Sequence, residues 1–164
     1  MKKHLKKFIA PTLSKRYMAR IVIVSLIAFV LFNYIILPIH IKGHSMEPTY
    51  RDGRFNFCLR LKYVFSEPEQ FDIVAIRFAG KRVLLLKRIV ALEGDLVEIR
   101  DGILFVNEKK VDEPYVSKPS AWNLSPRRVD KNHVYVIGDN RSVPIRIHKF
   151  GQTHIRRIIG GPLW

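Results

Sequence analysis

From Ile21 to Leu37 the chain runs IVIVSLIAFVLFNYIIL, 17 residues without one charged side chain. No polar face interrupts it, which argues against a buried core helix, since such helices rarely lack any polar face over so many residues. At ~1.5 Å per residue a helix of this length reaches about 25 Å, near the short end of a bilayer span. Pro38 predicts its end. After residue 40 the pattern changes to short runs rich in β-branched and aromatic residues: 54–59, 72–78, 82–92, 96–100, 103–107 and 133–138. Turn signals separate them at Glu93-Gly94-Asp95, Asp101-Gly102 and Gly138-Asp139-Asn140. LVEIR-DG-ILFVN predicts a β-hairpin on an Asp-Gly turn. Residues 112–132 hold Pro114, Pro119 and Pro126 and read as an irregular excursion. The expected fold is therefore mainly β: one antiparallel β-rich domain (39–164) behind a single apolar helix (21–38) and a basic arm (1–20).

Charge sharpens the first part of that picture. The 164 residues carry 29 Lys+Arg against 14 Asp+Glu, a formal charge of +15. Seven of those bases fall within the first 20 residues, where there is no acid, and the remaining 144 residues carry +8. A basic flank before an apolar span predicts a cytoplasmic N-terminus and an external domain. A cleaved signal peptide has a shorter apolar stretch, ~7–15 residues, and ends in a small-x-small site. The segment PIHIKGHS offers none, so an uncleaved anchor in the cytoplasmic (inner) membrane is expected. The positive charge then faces anionic lipids and sets topology, and nucleic acid is not the expected partner. The single cysteine, Cys58, allows no intrachain disulfide and reads as a small buried hydrophobe. His133, His148 and His154 lack metal-ligand spacing, so neither a metal nor another cofactor is expected.

Two residues bring chemistry. In an extended strand Lys87 shares a face with Val83, Leu85 and Ile89, while Arg88 points the other way. Desolvation penalises an ammonium on such a face, and a lysine neutral near working pH is a general base. The alternative is a lysine that snorkels to water at a sheet edge. Ser45, eight residues beyond the apolar stretch, stands in IKGHSMEPTY. Its own N–H is a candidate oxyanion donor, and Gly43 allows the backbone to approach a bound chain. His44 faces the opposite side of an extended segment and is not the expected base. Serine with lysine is a known nucleophile–base pair.

Three segments, Ser45-Met46-Glu47-Pro48-Thr49, then Lys87 to Asp95 (KRIVALEGD), then Gly138-Asp139-Asn140-Arg141-Ser142, closely resemble the three signature boxes of type I signal peptidases, in the same order behind an anchor. The resemblance implies Ser45 as nucleophile and Lys87 as general base, on a β-domain at the outer face of the membrane. It implies cleavage of signal peptides from preproteins after small residues, in an Ala-x-Ala pattern, close to the export translocon. The substrate would lie as an added strand between Ile41, Lys42 and Gly43 on one side and Val83, Leu85 and Leu86 on the other. Met46, Pro48, Arg88, Gly138, Asp139, Asn140 and Arg141 would support the site.

The chain also departs from the pattern. Where the family continues with Ser-x-Asp-Ser-Arg, this sequence has Pro144, Ile145, Arg146, Ile147 and His148. Pro144 replaces the serine that would bond the lysine, and Arg146 with His148 cannot form the usual ion pair. A positive charge near Lys87 favours its neutral form, so Arg146 is a candidate substitute for the lost partner. Glu93 stands where proline is common. These changes leave open a weakened or specialised member that matures one dedicated substrate, or only binds it. A self-cleaving repressor-type protease shares Ser/Lys chemistry but carries a DNA-binding domain, for which residues 1–37 leave no room.

Overall fold

The computed structural model describes residues 14–78, 84–118, 120–142, 144–148 and 150–164. The chain divides between Ile36 and Leu37 into two units. In the first, helix α1 spans Lys15–Val30 and passes into one π-type turn, Leu31–Ile35. Ser14 caps it, its Oγ accepting the Tyr17 N–H at 3.2 Å. None of this apolar run is buried, and it is long and apolar enough to cross a membrane.

The helix thus starts before Ile21, because Lys15, Arg16, Met18 and Arg20 are good helix formers behind a serine cap. It also ends before Pro38. Ile36 is already extended (φ −118°, ψ 125°), and Pro38 lies inside strand β1, Ile36–His40. A run of β-branched residues reads equally well as helix in lipid or strand in protein, so composition alone misplaces that boundary.

The second unit holds two antiparallel sheets. One has seven strands in the order β1-β2-β11-β3-β4-β9-β10, and the other four, β7-β6-β5-β8. In the larger sheet β2 is Phe55–Leu59, β3 Ile73–Arg77, β4 Leu84–Ala91, β9 His133–Ile137, β10 Gly151–His154 and β11 Ile158–Pro162. The smaller contains β5 Leu96–Arg100, β6 Ile103–Val106, β7 Lys109–Lys110 and β8 Leu124–Arg128. The expected hairpin is β5–β6, with Val97 opposite Val106 and Arg100 opposite Ile103. Asp101 and Gly102 turn it, both at positive φ.

The 112–132 segment is not wholly irregular. It contributes β8, which pairs with β5 at the border of the smaller sheet, where Pro126 costs no ladder bond that the sheet needs. Val90, Ala91, Val97, Ile99, Leu104, Trp122, Tyr135 and Ile137 fill one core. Val74, Ile76, Ile89, Val134 and Val136 form a second, on the face of the larger sheet that also carries Lys87. A third small cluster, Ile39, Cys58 and Ala75, lies under Leu84 and Leu86. Burial raises the Cys58 thiol to about 11, keeping it protonated and inert.

Candidate active site

Strand β4 is built for two tasks. On one side it pairs with β3 over Leu84 to Arg88, with Lys87 opposite Val74 and Leu86 opposite Ala75. On the other side β9 joins it only from Arg88 onward, opposite Ile137. Among the described residues, the backbone of Leu84–Leu86 therefore has a ladder partner on one side only. Alternation then sorts the side chains. Leu84 and Leu86 lie over the Ile39–Ala75 cluster, and Lys87 turns toward the opposite apolar face. Lys87 is 2% exposed, so it does not carry its head to bulk water.

Facing β4 runs the segment that leads to the serine. Ile41 donates its N–H to Arg54 O at 2.8 Å and accepts that of Gly53 at 3.0 Å. A shallow cleft of about 50 Å³ lies between the two segments, lined by Ile39, Ile41, Lys42, Gly43, Ser45 and Met46 against Ala75, Leu84, Leu85 and Leu86. Ile41, Lys42, Gly43, Leu85 and Leu86, assigned from sequence to substrate binding, thus meet around one groove with Ser45. Val83 lies outside the described residues. A second, wider cavity of about 270 Å³ has Lys87, Leu85, Ile76, Val136 and His148 in its wall. Leu85 borders both.

Gly43 adopts φ +94°, a conformation that favours glycine, and its N–H donates to Asp52 Oδ1 at 2.7 Å. That bond holds the Asp52 carboxyl below its ordinary range. The Gly43 amide is therefore committed to Asp52. His44 is exposed and pairs with Glu47 at 2.9 Å, which raises its pKa. It is exposed as expected, although the segment bends at Gly43 and His44 and is not extended there.

The Gly138–Arg141 turn bolts the serine loop to β4. Asn140 donates its backbone N–H to Ser45 O at 3.1 Å and its side-chain amide to His44 O at 2.9 Å. Asp139, wholly buried, takes two bonds from Arg88, at 2.9 and 2.7 Å, and one from the Thr49 hydroxyl. Arg88 stacks its guanidinium 3.9 Å over the Tyr115 ring. Arg141 is 1% exposed; it donates to Gly138 O at 3.0 Å and pairs with Glu113. Gly138 sits where no side chain fits: a Cβ would lie 2.2 Å from Ser45 O and 2.9 Å from His148 Nε2. The carboxylate and amide of this turn are thus a bracket that keeps Arg88, next to Lys87, and the Ser45 loop in fixed register. Met46, 2% exposed, lines the same cleft as the serine, and the Glu47–Pro48 peptide bond is cis.

Arg146 does not take over the lost partner of Lys87, since it stands exposed on a 3₁₀ turn, Ile145–Ile147. Pro144 is exposed as well. His148 is the residue of this segment that enters the interior, 8% exposed, with Trp122 edge-on at 4.8 Å. From sequence it is only a departure from the family pattern and a histidine without metal-ligand spacing. Asp52, Glu113, Ile39, Ala75 and Leu84 also join the site without having been singled out, and Thr49, named only as the end of the first box, joins it too; a Thr-x-x-Asp-Gly run after the serine was the visible trace of Thr49 and Asp52.

Comparison with known proteins accords with this geometry. Residues 14–162 match the model of the family described as signal peptidase, peptidase S26. The chain is 32% identical over 158 residues to signal peptidase I of Bacillus caldolyticus, covering 88% of this chain and 84% of that protein. It is 38% identical over 136 residues to thylakoidal processing peptidase 1 of Arabidopsis thaliana, covering 75% of this chain. There it spans only 39% of the relative's length. The crystal structure of a signal peptidase I from Enterococcus faecalis superposes with a TM-score of 0.50 at 23% identity, over 58% of this chain and 97% of that one, and shares the fold. By family model and by relatives alike, the chain belongs to the signal peptidases of peptidase family S26, a family of serine endopeptidases.

Proposed function

We propose that this protein is a membrane-anchored endopeptidase that removes signal peptides from exported preproteins after small residues, with Ser45 as nucleophile and Lys87 as general base. The observation that carries the reading is the burial of Lys87 on a strand whose Leu84–Leu86 stretch, with a ladder partner on one side only among the described residues, lines the cleft holding Ser45. Burial disfavours the ammonium and leaves an amine able to accept a proton. The backbone of Leu84–Leu86 can take an extended peptide as an added strand, and that alignment supplies most of the orientation the reaction needs. Apolar walls and about 50 Å³ of space suit methyl-sized side chains, which supports the Ala-x-Ala preference.

In the proposed course, Lys87 Nζ takes the Ser45 hydroxyl proton as Oγ attacks the scissile carbonyl. The Ser45 N–H faces the developing oxyanion. When the tetrahedral intermediate collapses, the lysine ammonium returns the proton to the leaving amine, and an acyl-serine remains. Water, deprotonated by the same amine, then releases the signal peptide's new carboxylate.

Lys15, Arg16 and Arg20 before the apolar run favour a cytoplasmic N-terminus in the inner membrane, near anionic lipids, with the β-domain outside and beside the translocon. The intact Ser45 and Lys87 weigh against a pure binding module, while a dedicated substrate remains compatible with the altered 144–148 segment.

The full chain in detergent micelles should cut an Ala-x-Ala preprotein, with a rate that rises with pH as the lysine deprotonates. Ser45→Ala and Lys87→Met should each remove cleavage, and a serine-reactive β-lactam-type inhibitor should label Ser45. Equal cleavage by wild type and both variants would refute the proposal.

A further inference from the structure

His148 is the one imidazole among the described residues set inside the domain next to both halves of the site. It closes one wall of the cavity that Lys87 also lines. Its Nε2 accepts the Gly138 N–H at 3.2 Å, and Arg141 takes the Gly138 carbonyl at 3.0 Å. Both polar groups of Gly138 are therefore held by side chains, at the point where β9 ends and the turn to Asn140 begins. Two residues on, Asn140 grips the carbonyl of Ser45. The ring is itself gripped, edge-on to Trp122 at 4.8 Å and near Phe150 at 6.0 Å. Its position is consequently set by packing, and it sets that of Gly138.

We infer that His148 is a positioning residue for the peptidase reaction: its neutral imidazole, as acceptor at Nε2, fixes Gly138 and through the Gly138–Asn140 turn the placement of Ser45. The inference rests on the peptidase reading. The charged or titratable groups that bear on the ring are Lys87 from β4, a cation when protonated, and Arg141 from the turn. They oppose its protonation, as does burial, and its pKa falls to about 4. The imidazole is thus neutral wherever the lysine can act. With Nε2 used as acceptor, its proton must reside on Nδ1. That tautomer is a direct signature, because a ring that only fills space has no reason to choose it. The role asks for an acceptor of the right reach, which a glutamine carbonyl supplies and an alanine or a leucine does not.

Three variants of the full chain in detergent micelles test it: His148→Ala, His148→Leu and His148→Gln. For His148→Ala and His148→Leu, kcat on an Ala-x-Ala preprotein should fall by on the order of 10²-fold with little change in KM, the loss expected from a nucleophile displaced by about 1 Å. His148→Gln should recover most of it. Nitrogen and carbon NMR of wild type labelled at histidine should find His148 in the Nδ1–H form at pH 7, with a hydrogen-bonded Gly138 amide that is lost in His148→Ala. Glutamine no better than leucine, unchanged kcat in all three, or an Nε2–H ring would overturn the inference. A wild type whose cleavage survives Ser45→Ala would instead overturn the peptidase reading, and the two failures are distinct because the tautomer is read without substrate.

Discussion

Acid should unfold this protein through His148. An imidazole ordinarily titrates near 6.5, and here burial, then the charges of Lys87 and Arg141, hold it at about 4. Between those values the unfolded chain binds a proton that the folded chain refuses, so stability rises with pH across the window. The contribution is complete above pH 6.5, drains away as pH falls toward 4, and changes no further below. At ~1.36 kcal/mol per pH unit it amounts to about 3 kcal/mol, a sizeable share of the stability of a small domain. Carboxylates held low by their partners, such as Asp52 and Glu47, also weaken the fold in acid. The informative quantity is therefore the difference from His148→Gln, which keeps the acceptor and loses the titration. Urea unfolding of both proteins, followed by tryptophan fluorescence at pH 7, 5.5 and 4, measures it. Wild type should lose about 3 kcal/mol more than the variant over that range. A difference constant to within about 0.5 kcal/mol would mean that the buried ring is protonated without penalty, and would refute the reasoning.

Gly138→Ala should abolish cleavage and lower stability by about 1–3 kcal/mol, because the added Cβ meets the Ser45 carbonyl, which is backbone and cannot rotate aside. A variant with wild-type turnover would show that the turn is free to shift. Arg88→Met and Asp139→Asn should each cost ~3–5 kcal/mol by stranding the other's charge in the interior, while the double variant should cost clearly less than their sum. Strict additivity in a double-mutant cycle would mean that the pair is not coupled.

What the sequence made legible is what depends on near neighbours. The β5–β6 hairpin follows from twelve consecutive residues, 96–107, with the Asp-Gly turn at their centre, and the facing of Lys87 and Arg88 from strand alternation alone. Strands β10 and β11 left no comparable trace. GQTH and IIGGP have weak strand character by themselves, and β11 exists because β2 and β3 flank it from more than eighty residues away. The site divides in the same way. Signature boxes identify Ser45, Lys87 and the Gly138–Asn140 turn, whereas Asp52 against Gly43 and His148 against Gly138 depend on how loops fold back. For His148 the family pattern even misdirects attention, toward the exposed Arg146 instead of the buried ring two residues on.

The early end of the β4–β9 ladder also fixes a reading frame. Leu84–Lys87 spans about 13 Å of strand at ~3.3 Å per residue, so a peptide docked there meets only a handful of positions before the chain reaches Ser45. Successive residues of such a peptide point alternately at the enzyme and away from it. On the proposed reading, every second position before the cut is therefore proofread against a wall, and the one between is left to vary. The interval at which the enzyme samples its substrate is the pleat of its own sheet.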